Sequence, residues 1–149
     1  MSVVIPDIAY TCPVYAGGQS MIDAGFVTLV TDAGVNPVLA TRPGEPGTLW
    51  LAGHRTTHGA AFSQVPSLAD GALVTVSSGG VTATYRVVGR TYVEVGGGRV
   101  IDDSGKATAE ATWASIIRSD FGGNLAPRLV LQTCEGDNFR WMVYADLVT

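Results

Sequence analysis

Cysteine is scarce in this chain, and so is charge of either sign. Cys12 and Cys134 are its only two cysteines, too few for the dense disulfide framework that holds small secreted scaffolds together. Lys and Arg number 9 in all, form no cluster or stripe, and leave a formal net charge of −4. Phosphate affinity comes mostly from grouped Lys and Arg, so nucleic acid is excluded as a main partner. No apolar run approaches the roughly 20 residues of a membrane-spanning helix, and the N-terminus lacks the basic and apolar regions of a signal peptide. The chain as written is therefore expected to be soluble, with any N-terminal membrane anchor or export signal lying outside it. Charged residues make up only 15% against 46% apolar, a balance that folds rather than staying disordered.

What is abundant points to strands. Nineteen glycines and seven prolines are scattered among short runs of Val, Thr, Ile and Tyr, the composition of many short strands joined by turns. A length of 149 residues fits one core of ordinary size, so residues 1–149 are expected to form a single all-β domain. "SVVIPDIAYTCPVYAG" predicts one or two short strands, which Pro6 and Pro13 confine to edges or bends, with a barrel edge as the expected place. A helical turn is expected near Ser20 to Ala24, followed by an apolar β-branched run from Phe26 to Val30. "TLWLAGH" reads as a buried strand that ends at His54, and "AAFSQVPSLADG" as a short helix broken by Pro66 and closed by Gly71. Strands at Leu73 to Ser77 and Val81 to Val88 flank Ser78-Gly79-Gly80, the spacing of a hairpin. "RTYVEVGGGRVID" adds a further strand with an acidic end. The strongest helix pattern is "ATAEATWASIIRSDF", where Ala111, Ala114, Ile117 and Phe121 share a face and Gly122 follows as a stop. The last strands are "RLVLQTC" and "RWMVYADLV", joined by a turn from Glu135 to Phe139.

That turn carries the chemistry. A thiol is a good nucleophile only as thiolate, and it needs an acid or base to manage the leaving group, so Cys134 calls for a histidine. His54 and His58 are the only two, and His54, at the expected end of a strand, is held better than His58 after its Thr-Thr step. Acyl transfer also develops negative charge on a carbonyl oxygen, which a guanidinium can stabilise. Arg140, opening the strand after Cys134, is suited to that role.

"LAGHRTTHGAAF" followed far downstream by "LVLQTCEGDNFR" resembles the histidine and Thr-Cys…Arg signatures of sortases, the cysteine transpeptidases of Gram-positive cell surfaces. The resemblance runs from "VVIP" to the last strand. It implies a closed eight-stranded β-barrel with one or two short helices, acting without a cofactor at the extracytoplasmic face of the membrane. It also implies that Cys134 attacks a Leu-Pro-X-Thr-Gly or Leu-Ala-X-Thr-Gly sorting signal after Thr, giving a thioacyl enzyme that a cell-wall or pilin amine resolves. His54 would then be general acid and afterwards base, and Arg140 the oxyanion or substrate-positioning group. Thr133 and Gln132 beside the cysteine, together with His58, are expected to touch substrate. Gln132 stands where many members carry a small, aliphatic or Thr residue. The short turn from Cys134 to Arg140 resembles actinobacterial class E or F members. His58 stands where the class E pattern often has a tyrosine that helps select the signal.

Plainer readings stand beside these. A cysteine at a strand end is often a small buried hydrophobe, a lone histidine a structural residue, and an arginine an ion-pair partner. Cys12 reads as an inert edge-strand thiol or as a disulfide partner of Cys134. Zinc on His54, His58 and Cys134 is disfavoured, because a His-x-x-x-His pair binds best on a helix and "HRTTHG" is β-branched. Glu94, Asp102 and Asp103 have the hard oxygens calcium prefers but read first as a solvated turn. Trp113 and Trp141 are expected in the core, and "GGG" at Gly96 to Gly98 is a turn, lacking the Lys-Ser/Thr of a phosphate loop. Two rival functions remain: a non-catalytic peptide-binding barrel of the same fold, and a hydrolytic cysteine protease.

Overall fold

The computed structural model describes residues 1–17, 19–31, 39–54, 61–94, 100–102, 126–135 and 139–148, with the backbone alone for 19, 92–94, 100–102, 134 and 135. Its strands are β1 (Ser2–Ile5), β2 (Tyr10–Ala16), β3 (Val27–Leu29), β4 (Thr48–Ala52), β5 (Leu73–Ser78), β6 (Val81–Glu94), β7 (Val100–Asp102), β8 (Arg128–Glu135) and β9 (Phe139–Leu147). They hydrogen-bond in the order β5-β1-β2-β3-β4-β8-β9-β6-β7, and a further β5–β6 pairing joins the first strand to the eighth. Eight strands thus close into a barrel, and β7 extends from it as the partner of the far half of β6. Closure removes the free edge that an open sheet would present.

The interior follows the alternation of each strand. Val3 and Ile5, Leu49 and Leu51, Val74 and Val76, Ala83, Tyr85 and Val87, Leu129 and Leu131, and Val143 and Ala145 all belong to one buried cluster. Residues two apart face the same side of a strand, so each of these strands supplies this core with every second side chain. The Tyr85 hydroxyl is one polar group of this mostly apolar interior, and it accepts the Gly44 N–H at 2.8 Å.

Turn chemistry fixes the register. Ser78 pairs with Val81 across a two-residue loop, and Gly79 and Gly80 both have positive φ, at 57° and 82°. That is the turn whose twist matches a hairpin.

Three expectations change. β2 is not an edge: Pro13 is its last residue paired with β1, opposite Ser2, and pairing with β3 begins at Val14. The missing N–H of proline falls where the strand passes from one neighbour to the next, so no edge is needed. The run from Val81 onward is also one strand rather than two. Its pairing with β9 slips between Val87 and Gly89, leaving Val88 as the extra, 46% exposed residue of a bulge. The segment around Pro66 is a single 3-10 turn, Val65–Ser67, rather than an α-helix, as expected where the ring removes a helical donor.

The turn expected near Ser20 is present as α1 (Gln19–Asp23), and a 3-10 turn, Pro6–Ile8, follows β1. The helix expected over 107–121, with Trp113, lies outside the described residues, as do Gly96 to Gly98. No helix among the described residues is long and apolar enough to cross a membrane. Trp141 is buried, as expected, at 8% exposure.

Candidate active site

The outward face of the β4–β8–β9 strands builds the site. β4 and β8 run parallel, with Trp50 beside Val130 and Ala52 beside Gln132. Two residues beyond that last pair stand His54 on one chain segment and Cys134 on the other, at the same end of the barrel. β8 and β9 are antiparallel, and Cys134 lies directly across from Arg140. In this register Arg128, Val130, Gln132 and Cys134 share the face opposite to Leu129, Leu131 and Thr133. A thiol-bearing residue, an imidazole and a guanidinium thus come from three segments to one barrel end.

The backbone around His54 is held from both sides. The Gly53 N–H donates to the Gln132 carbonyl at 3.1 Å, carrying the ladder one residue past β4, and the Phe62 N–H donates to the His54 carbonyl at 2.9 Å. Space at position 53 is tight. A Cβ there would lie 3.2 Å from the Phe62 ring and 3.4 Å from a Val27 methyl.

The imidazole meets a residue that the sequence reading did not include. His54 Nε2 lies 2.8 Å from Asp23 Oδ1, and the side chains are 15% and 50% exposed respectively. Asp23 is the last residue of α1. Nothing in the spacing of the letters marks this pair, because its members lie 31 positions apart.

Arg140 is partly buried, and its Nη1 donates to its neighbour's carbonyl at Phe139, 3.0 Å away. Gln132 is also held, its Oε1 accepting the Trp50 indole N–H at 2.9 Å. Thr133 points inward, 1% exposed, and its hydroxyl has no hydrogen-bond partner. His58 lies outside the described residues, and so does Asp103. Glu94 and Asp102 lie on the neighbouring strands β6 and β7, Asp102 opposite Thr91.

Cys12 is a free thiol on β2, partly buried against the core. Burial pushes its pKa up, opposed in part by a hydrogen bond with Tyr10. A thiol kept protonated is a poor nucleophile, which matches the inert reading of Cys12.

A family model described as a sortase domain matches residues 3–148. The fold is similar to that of sortase E1 from Streptomyces coelicolor with a tripeptide in its active site, at 21% identity and a TM-score of 0.70, covering 99% of this chain and 86% of that one. Sortase E from Streptomyces avermitilis is similar at 23% identity and a TM-score of 0.70, with 99% and 86% covered. Sortase C-1 from Actinomyces oris follows at 24% identity and a TM-score of 0.69, with 99% and 71% covered. No curated protein matches the chain in sequence.

Proposed function

The chain belongs to the sortase family of cysteine transpeptidases, and from that premise we propose that Cys134, His54 and Arg140 are its catalytic residues. The observation that carries this reading is the register: Cys134 opposite Arg140, and His54 two residues past the Ala52–Gln132 pair. The substrate is a sorting signal of the Leu-Pro-X-Thr-Gly or Leu-Ala-X-Thr-Gly type, and the acceptor a cell-wall or pilin amine. A tripeptide in the active site of the sortase E1 relative supports an extended peptide as the ligand class. The short Cys134-to-Arg140 turn favours a class E or F type of enzyme, acting at the outer surface of a Gram-positive cell.

The chemistry proceeds in two acyl transfers. The Cys134 thiolate attacks the Thr carbonyl carbon, a C–S bond forms, and the carbonyl π pair moves to oxygen, where Arg140 stabilises the charge. Collapse breaks the C–N bond, and His54 gives its proton to the leaving Gly amine. The incoming amine then attacks the thioester and loses its proton to His54, and the thiolate leaves. Gln132 and His58 contribute side chains to the peptide groove. Thr133, turned into the barrel, contributes through its backbone.

Incubation with a library of sorting-signal peptides, with and without a glycine or diaminopimelate amine, tests this reading by mass spectrometry. Cleavage after Thr, with the amine captured in the product, is expected from the wild type and not from Cys134→Ala. Cleavage with water alone as acceptor would make the protein a hydrolase, and peptide binding without cleavage would make it a binding module.

A further inference from the structure

We propose that Asp23 is a positioning residue for His54, orienting the imidazole and setting which of its nitrogens exchanges the proton with the reacting groups. This deepens the functional reading and rests on it.

The geometry is that of a hydrogen bond, with Nε2 and Oδ1 2.8 Å apart. A ring only 15% exposed gains most from a fixed partner, whereas a carboxylate 50% exposed keeps part of its hydration. An anion on Nε2 favours the proton at Nε2, so proton exchange with the leaving and entering amines runs through Nδ1.

Three features hold the carboxylate there. The Gly25 N–H donates to the Ile22 carbonyl at 3.0 Å, and the Phe26 N–H to the Met21 carbonyl at 3.1 Å. With Gly25 at φ 94°, these are the two bonds of a glycine C-cap that stops a helix in one defined conformation. Asp23 sits two residues before the capping glycine. The helix end is also braced from outside, since the Phe26 ring packs edge-on against Tyr15 of β2, centroids 4.8 Å apart. Finally, Thr28 of β3 pairs with Ala52 of β4, so the strand entered from α1 lies beside the strand that delivers His54.

Local preference argues that the acid is there for His54. An aspartate on the last turn of a helix faces the negative end of the backbone dipole, where a cation is favoured. A residue that breaks a local rule and pairs with a distant side chain marks a functional constraint.

The test compares wild type with Asp23→Asn, which keeps the shape and removes the charge, and with Asp23→Glu, which restores it. Folding of each is checked by circular dichroism. In the peptide-plus-amine assay Asp23→Asn is expected to lower kcat about 10- to 100-fold, the range seen when the hydrogen-bond partner behind a metal-bound histidine is removed. KM should change less than about twofold, and Asp23→Glu should recover part of kcat. Nitrogen-15 NMR of the neutral imidazole should report the Nε2–H tautomer of His54 in wild type and a shifted tautomer ratio in Asp23→Asn. Unchanged kcat in Asp23→Asn, or an unchanged His54 tautomer, overturns the proposal and makes the contact a surface ion pair. If wild type itself shows no Cys134-dependent turnover, the functional reading fails, and the tautomer comparison alone decides the role of Asp23.

Discussion

The two ends of the β8–β9 pair carry arginines in equivalent settings with opposite outcomes. At one end Arg128 lies across from Asp146, and its Nε donates to the Asp146 carboxylate at 2.8 Å. At the other end Arg140 lies across from Cys134. Among the described residues Arg140 donates to the Phe139 carbonyl and meets no carboxylate. Both arginines lie on the outward face of the same ladder, on adjacent strands, so sheet geometry does not distinguish them. What differs is the residue opposite. An acid engages one guanidinium in a cross-strand pair, whereas the residue opposite the other is a cysteine, and the proposed mechanism uses that second guanidinium for the oxyanion. One pair ties β8 to β9, and the other is the proposed catalytic pair.

Substitutions test that contrast at several strengths. The largest effect is expected from Cys134→Ala, which should abolish thioacyl formation while leaving the thermal midpoint within a degree or two, read by mass spectrometry and calorimetry. Arg140→Ala should follow, with kcat lowered about 100- to 1000-fold, the loss seen when one oxyanion donor is removed. Steady-state kinetics with a sorting-signal peptide checks it, and an unaltered kcat would make Arg140 structural. Gly53→Ala should cost about 1–3 kcal/mol of stability by overpacking the Phe62 ring, measured by denaturant titration. A cost near zero would mean that the ring yields freely. Arg128→Ala should be the mildest, costing about 0.2–1 kcal/mol as a partly exposed ion pair and leaving kcat within twofold. A large loss of activity in Arg128→Ala would erase the distinction between the two ends.

Much of the barrel is written in its letters. β4, β8 and β9 are legible as apolar runs, and the β5–β6 hairpin as two glycines between alternating strands, because these signals are local. Pro13 reads as an edge because an absent N–H says nothing of where a strand changes neighbours. The bulge at Val88 is hidden for a similar reason, since an extra residue shows only when the partner strand is counted against it. For the site, residue chemistry leads to Cys134, and motif resemblance joins it to His54 and Arg140. Asp23 escapes both routes. Its tie to His54 depends on a glycine-capped turn docking against a strand whose partner is reached only after the chain has folded.

The central claim is that Cys134, opposite Arg140 at this barrel end, is the acyl carrier. Its most direct test is to mix the protein with a sorting-signal peptide and no amine, quench in acid, digest, and map any added mass. The account predicts a single acyl adduct, ending in Thr, on the fragment holding Cys134, discharged when a primary amine is supplied. Turnover with the acyl group on another residue, or with no adduct on Cys134 under any quench, would contradict it.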